Sequence, residues 1–298
     1  MEIENTYCEA FEGLFARICI TAKDEKRLKR AAYGATALPS TVFGEAEGGI
    51  EEWLNEHETP DSRKGAMVQL WVNYDKDEDA AKKLEYEMSK RVRQGILVVP
   101  TTSVFNAFSS DLGSEGQIDT LDRIGHCGDG YETIEQRFGR KVIVVPIMMG
   151  EFLVERFLGY KKGVMGGNLW FLCTNLEAAL EAGEKALSAI NRIEGTITPF
   201  DICAAGSKPE TKYPEIGPTT NHPYCPSLKD KISGSRVPED VNFIPEIVIN
   251  GVSLDVVKEA MKAAIDSVRD VEGLVKISAG NYGGRLGKYK VYLREIVD

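Results

Sequence analysis

Glu246 stands in the apolar run IPEIVI, residues 244–249. Strand alternation would put it on one face with Ile244 and Val248. A carboxyl group placed there loses hydration and its pKa rises. The neutral acid can then donate a hydrogen bond to a developing oxyanion, which a carboxylate would repel. An exposed glutamate at the first residue of a strand is the plainer reading of the same letters. Downstream, SAGNYGGRLGKY (278–289) gathers Ser278, Gly280, Asn281, Tyr282, Gly283, Gly284, Arg285 and Gly287. Its glycines let backbone approach a flat ligand, or simply turn between two strands at positive φ. Thr101, Thr102 and Ser103 follow Pro100 and offer hydroxyl donors, or end a strand with solvated hydroxyls. Tyr224, in PYCP, packs in a core or lines a pocket.

The common signatures of cofactor and covalent chemistry are missing. No GxGxxG follows a strand, and the residue five before Gly287 is Tyr282, so the glycine run is no phosphate loop. The chain has only His57, His126 and His222, and neither HPYC (222–225) nor His126–Cys127 has a matching second pair, so no metal site is expected. DLGSEGQIDTLD (111–122) carries glycine at the third place of an EF-hand loop, where an oxygen ligand belongs. No serine elbow or Cys–His spacing marks a nucleophile. A reaction here would use a nucleophile brought by the substrate.

With 46 acidic against 36 basic residues, the net charge is −10, which argues against nucleic acid or an anionic membrane as partner. At 298 residues and 43% hydrophobic content the chain can build a large core without disulfide or metal staples. Cys8, Cys19, Cys127, Cys173, Cys203 and Cys225 are scattered without a CxxC, which fits a reducing compartment. MEIENTYCEAFEG lacks the basic and apolar regions of a signal peptide. The longest apolar runs, such as VIVVPIMM (142–149), fall far short of a membrane span. A cytoplasmic protein is expected.

The elements that must position these residues alternate as strand, helix, strand. LFARICITA (14–22) precedes a helix over about 23–37, and MVQLWVNY (67–74) leads through a helix into ILVVPTTSVF (96–105). NLWFLCTN (168–175) leads through LEAALEAGEKALSAINRIEG into TITPFDICAAG, and EIVING (246–251) through LDVVKEAMKAAIDSVRDVEG into LVKISAG. The last two units align from Leu176 to Leu254 at a constant offset of 78 residues. Leu254, Val257, Met261, Ala264, Ile265 and Val268 hold one helix face, with Ser253 as N-cap. Leu176, Ala179, Leu180, Leu187 and Ile190 are expected to do the same in the earlier copy. Tandem βαβ units describe a split βαβ, ferredoxin-like sandwich. The expectation is an α+β protein of two such lobes, 1–146 and 147–298, from an internal duplication. Three long connections, 38–66, 106–137 and 203–243, are expected to be irregular and to carry the site and subunit contacts.

EIVING and KISAGNYGGRLGKY, at their distance from each other, resemble the formylmethanofuran:tetrahydromethanopterin formyltransferase family. The resemblance runs along the chain through ETPD (58–61), PTTSVF (100–105), GDGY (128–131), VPIMMGEF (145–152), GVMGGN (163–168), EGTITPF (194–200), GSK (206–208) and NHPYCPS (221–227). It implies a two-lobed α+β subunit in a homotetramer of methanogenic or methylotrophic one-carbon metabolism. It implies formyl transfer between two C1-carrier coenzymes taken as substrates, with no metal and no permanently bound cofactor. Glu246 is then the oxyanion stabiliser. Lys208, Lys212, Arg285 and Lys288 would receive the anionic groups of the coenzymes, helped by backbone N–H groups of the glycine run. Thr101, Thr102, Ser103, Tyr224, Ser278, Gly280, Asn281, Tyr282 and Gly283 would line the substrates. The chain differs from the family pattern at GEAEGGIE (44–51), at the shortened PFDICAAGSK (199–208) and at Arg285. These differences leave a second reading open, a non-catalytic or auxiliary paralogue that binds a C1 cofactor or docks in a larger complex.

Overall fold

In the computed structural model, which describes residues 1–37, 46–74, 77–109 and 112–297, three helices start on the caps their sequences offer. The side chains of Asp24, Asn175 and Ser253 accept from the N–H groups of Arg27, Ala178 and Val256. Each satisfies a first-turn donor that the helix itself leaves orphaned.

In chain order the elements are β1 (Glu2–Ile3), β2 (Tyr7–Thr21), α1 (Glu25–Thr36), β3 (Ala46–Leu54), β4 (Gly65–Asn73), α2 (Asp77–Arg91) and β5 (Ser103–Asn106). There follow β6 (Gly116–Asp119), β7 (Thr133–Arg137), β8 (Arg140–Ile147), β9 (Gly150–Glu155), β10 (Phe157–Cys173), α3 (Leu176–Ile190) and β11 (Thr196–Ile197). The chain finishes with β12 (Glu246–Gly251), α4 (Leu254–Ser267), β13 (Leu274–Ser278), β14 (Tyr289–Tyr292) and α5 (Leu293–Val297).

Two compact units divide the chain: Gly13–Gly163, and Val164–Asp298 together with Met1–Glu12. In the N-terminal unit β2 pairs antiparallel with both β4 and β5, and β3 pairs antiparallel with β4. Counting β2, β3, β4 and β5 as strands one to four, the lateral order is 4-1-3-2. In the C-terminal unit β10 pairs antiparallel with β12 and β13, and β11 pairs with β12. Counting β10, β11, β12 and β13 in the same way gives 4-1-3-2 again. The molecule is the expected α+β fold of two lobes, and both are built on the split βαβ plan. The compact units part at 163/164. Residues 1–12 count with the C-terminal unit because β1 pairs with β13 and the start of β2 pairs with β14.

In the C-terminal unit one set of alternating strand residues, among them Leu169, Phe171, Ile247, Ile249 and Ile277, packs with the inner faces of α3 and α4. The other set includes Asn168, Trp170, Leu172 and Glu246. Trp170 and Leu172 are roofed by Val237 and Val241 from the long β11–β12 connection. This connection, 198–245, is built of turns and short 3-10 segments, as expected for 203–243. The α4 stripe buries as read from the sequence. In α3, Leu176 and Leu180 are exposed and the small residues Ala178, Ala179, Ala182, Gly183 and Ala186 pack instead. The leucines attract the eye, but small residues are what let a helix lie close on its sheet.

Three further expectations are corrected. The stretch 38–66 contains β3 and the start of β4, and 106–137 contains β6 and β7. Residues 38–45, with Gly44 and Glu45 of the 44–51 segment, lie outside the described residues. The strand β3 (AEGGIEEWL) hides from a polarity pattern because its Glu51 is buried, held by Arg17 Nε at 2.9 Å and Arg17 Nη2 at 2.6 Å. ILVVPTTSVF is a strand only from Ser103; residues 92–97 form a π-helical turn, a short apolar run taking helix rather than strand. TITPFDICAAG is strand only at Thr196–Ile197.

Candidate active site

Three adjacent strands place Glu246, Trp170 and Ser278 side by side. Trp170 of β10 is the register partner of Glu246 in β12 and of Ser278 in β13. Glu246 is 6% exposed. Its Oε1 accepts from Trp170 Nε1 at 2.9 Å and from Asn168 Nδ2 at 3.3 Å. Cys203 exchanges both main-chain hydrogen bonds with Glu246, at 2.8 and 2.9 Å, which brings the 199–206 segment against the strand. Burial pushes the Glu246 carboxyl above its ordinary range, against the opposing pull of its Trp170 and Cys203 hydrogen bonds. Burial also raises the Cys203 thiol, and the neighbouring glutamate adds to that.

Beside Glu246 a cleft of about 250 Å³ is lined by Trp170, Tyr224, Asn221, Phe243, Ile244 and small residues of 204–206. Tyr224 stands edge-on to Trp170, with ring centroids 4.7 Å apart. A pocket that mixes aromatic and aliphatic walls with Asn221, Ser227 and Asn242, and has one acid at its wall, can receive a flat ring and hydrogen-bond its edge.

The glycine run is shaped from within. Tyr282 N and Gly284 N donate to Glu9 Oε1 at 2.6 and 2.7 Å, and Leu286 N and Gly287 N donate to Oε2 at 2.7 and 3.1 Å. Glu9 is 2% exposed, and burial alone would raise its pKa. The four N–H groups outweigh burial and hold it below the ordinary carboxylate range. The backbone donors expected to meet a substrate anion here are already occupied by an anion of the chain itself. Gly283 and Gly284 take φ of 75° and 73°, the turn reading of their glycines.

The sequence-expected residues are only partly brought together. Tyr224 and Glu246 line the cleft. Ser278 is buried opposite Trp170, and Gly280 N donates to Asn168 Oδ1 at 2.7 Å. Tyr282 Oη donates to the Ser207 carbonyl at 2.6 Å, fastening the glycine run to the GSK segment. Asn281 Oδ1 accepts from Gly283 N at 2.9 Å and so shapes the turn. Lys208 holds Thr219 by its main chain, Lys212 is exposed, and none of the expected cations lines the cleft. Arg285 pairs with Glu210 at 3.0 Å, and Lys288 with Glu12 at 2.6 Å. Thr101, Thr102 and Ser103 belong to the N-terminal unit, where their polar atoms are engaged. Thr102 Oγ1 donates to the Ile96 and Val99 carbonyls, and Arg63 binds both Ser103 Oγ and the Thr101 carbonyl. Among the described residues no group of three or more His, Cys, Asp or Glu could share a metal ion.

Glu9, Asn168, Trp170 and Cys203 were not singled out by sequence. Asn168 and Trp170 carry a weak signal, a polar residue and an indole heading the apolar run LWFLC. Glu9 carries none.

Comparison with known proteins agrees over the full length. The family model described as formylmethanofuran-tetrahydromethanopterin formyltransferase matches residues 1–147, and that of its proximal lobe matches 150–296. A formyltransferase-like protein of Methanopyrus kandleri is 58% identical over 295 residues, 99% of this chain and 97% of its own length. The formyltransferase of Methanothermus fervidus is 43% identical over 300 residues, covering 99% and 98%. The solved formyltransferase of Methanosarcina barkeri superposes with a TM-score of 0.90 at 42% identity, over 99% of this chain and 98% of its own. A chain of the formyltransferase/hydrolase complex of Methylorubrum extorquens, solved with methylofuran, gives 0.90 at 32% identity, over 99% and 96%. With its two lobes each matched by a family model, the chain belongs to the formylmethanofuran–tetrahydromethanopterin formyltransferase family.

Proposed function

We propose that this chain transfers a formyl group from formylmethanofuran to N5 of tetrahydromethanopterin, with Glu246 as the hydrogen-bond donor to the oxyanion. The observation that carries the reading is a buried carboxyl group, raised in pKa, at the wall of a cleft in a chain of this family. The pterin N5 attacks the formamide carbon, and the carbonyl π electrons move onto oxygen. Neutral Glu246 donates to that oxygen as its charge grows. The tetrahedral intermediate collapses as the proton released by N5 is passed to the methanofuran nitrogen, the bond from the formyl carbon to that nitrogen breaks and the amine leaves, and N5 keeps the formyl group. Substrate positioning supplies much of the acceleration, since two bound coenzymes react as one molecule. Both substrates carry carboxylates and the pterin also a phosphate; Lys208 of the GSK segment, Lys212 just beyond it and Arg285 of the glycine run, half-buried or exposed, are the cations we assign to them.

The test is direct. Purified protein mixed with both coenzymes, without added metal, is expected to form 5-formyltetrahydromethanopterin. Product formation no faster than the spontaneous reaction overturns the assignment.

A second reading rests on one observation. The relatives at 58% and 56% identity are named formyltransferase-like proteins, whereas those named as the formyltransferase stand at 43%. Under this reading the chain is an auxiliary paralogue. It would appear in native mass spectrometry of lysate as a stable hetero-complex, binding coenzyme without turnover. Our preferred reading expects a cytoplasmic homotetramer. Its assembly should strengthen with salt, because ten net negative charges per subunit repel one another until screened.

A further inference from the structure

Glu246 Oε1 is held between two groups whose hydrogen-bonding direction is fixed. An indole N–H can only donate, so at 2.9 Å from Trp170 Nε1 the oxygen must accept. Asn168 supplies the second contact, at 3.3 Å, through an amide whose orientation is settled elsewhere. Gly280 N, a backbone donor, sits 2.7 Å from the other end of that amide, so this end is the carbonyl oxygen and the end facing Glu246 is the NH2. Trp170 and Asn168 independently give Oε1 the same part. It accepts twice and has no room for a proton of its own.

From this the geometry points to Trp170 and Asn168 as positioning residues that fix the tautomer of Glu246: Oε1 is the carbonyl oxygen, and Oε2 carries the proton. The inference deepens the proposed function and rests on it for its catalytic meaning, though not for its structural content. A carboxylic acid free to place its proton on either oxygen would spend part of its time with that proton on Oε1, facing the N–H donors of Trp170 and Asn168. Here the glycine run sets the donor instead, through Gly280 and Asn168. The approach is tight, since a Cβ added at Gly280 would stand 2.6 Å from Asn168 Nδ2. Other titratable groups face the same carboxyl. Cys203 comes from the 199–206 segment, Tyr224 and Cys225 from the cleft wall, and Tyr282 from the glycine run with Glu9 behind it. Tyr282 is raised by burial and by these carboxyls, so it stays neutral and adds no charge to the site at neutral pH.

Infrared difference spectroscopy of the full chain, wild type minus Glu246→Gln, isolates the carbonyl stretch of protonated Glu246. Hydrogen bonds to a carbonyl oxygen lower that stretch, so Trp170→Phe and Asn168→Ser are both expected to move it to higher frequency. The phenylalanine keeps an aromatic ring against Tyr224, and the serine variant guards against a Trp170 variant that fails to fold. A band unmoved in both variants, or no acid band at neutral pH, overturns the inference whether or not the protein turns over. Kinetics provide the second readout. Each variant is expected to lower kcat by about three- to tenfold, the rate equivalent of one hydrogen bond, with KM little changed. The alkaline limb of the pH profile should move upward in Trp170→Phe, because a donor that favoured the carboxylate is gone. A shifted band in a protein without turnover would support the tautomer and remove the proposed function. Turnover with an unmoved band would do the reverse.

Discussion

Replacing Glu9 by glutamine tests how much the glycine run owes to one buried carboxylate. The carboxylate takes two N–H groups on each oxygen. Glutamine offers one oxygen, and its NH2 would face two donors, so no more than two of the four bonds survive. A hydrogen bond to a charged group contributes about 1.5–3 kcal/mol, so two would amount to roughly 3–6 kcal/mol if nothing replaced them. Leu286 is exposed and Gly287 half-buried, so water takes over part of the loss. A net cost of about 2–3 kcal/mol to opening of this loop corresponds to amide exchange about 30- to 150-fold faster. Hydrogen exchange read by mass spectrometry on peptides covering 282–287 would report it, with the α1 and α2 peptides as unaffected control. The sign with pH follows from the depressed pKa of Glu9. Its contribution is complete above the unfolded carboxylate pKa and is lost as pH falls through the folded one. The difference between variant and wild type should therefore shrink on acidification. Equal exchange at neutral pH in the two proteins would show that Glu9 does not hold the glycine run closed.

Four other outcomes are expected. Glu246→Ala should lose on the order of 100-fold in turnover, as for one oxyanion donor, while Glu246→Gln, still a donor, keeps partial activity and both bind the coenzymes unchanged; steady-state kinetics with calorimetric titration separates these. Wild-type turnover should decline as pH rises through the folded pKa of Glu246, because the neutral acid is the donor; an alkaline limb that persists unchanged in Glu246→Gln would assign it to another group. Glu51→Gln should destabilise the N-terminal unit by about 1.5–3 kcal/mol in calorimetric unfolding, since a neutral amide replaces the buried carboxylate that takes both Arg17 Nε and Nη2. Gly95→Ala should cost about 1–3 kcal/mol, its Cβ meeting the Gly34 carbonyl at 2.7 Å, while Gly234→Ala, with nothing within 4 Å, leaves the melting temperature unchanged.

The lobes were legible because their helices and central strands follow simple periodicities. Ser253 caps α4 and EIVING is a strand end to end, both as the letters say. What escaped shares one cause, buried polarity. Strand β3 reads as a loop because Glu51 and two glycines break its alternation, and distant partners such as Arg17 and Gln69, 34 and 18 positions away, make that glutamate an interior residue. Glu246 was found through its motif. The indole and amide that orient it lie 76 and 78 residues upstream, and no local pattern joins them. Likewise the glycine run suggested a ligand anion, whereas its donors close on Glu9, more than 270 residues away. Pairings of this kind are written in the strand register, which a linear reading does not contain.

The pairing of β1 with β13, Glu2 beside Lys276, bears on the order in which this molecule is made. The earlier strand, β1, cannot be placed until β13, more than 270 residues later, has emerged. At translation rates of roughly 5–20 residues per second β1 waits on the order of 15–50 s for its partner. All of Gly13–Gly163 is by then available to fold, with every strand and helix of its own 4-1-3-2 plan already in hand. The nascent chain therefore trails an unpaired strand for most of its synthesis. Ribosome-bound chains stopped before β13 should present residues 1–12 to protease while the N-terminal unit resists it.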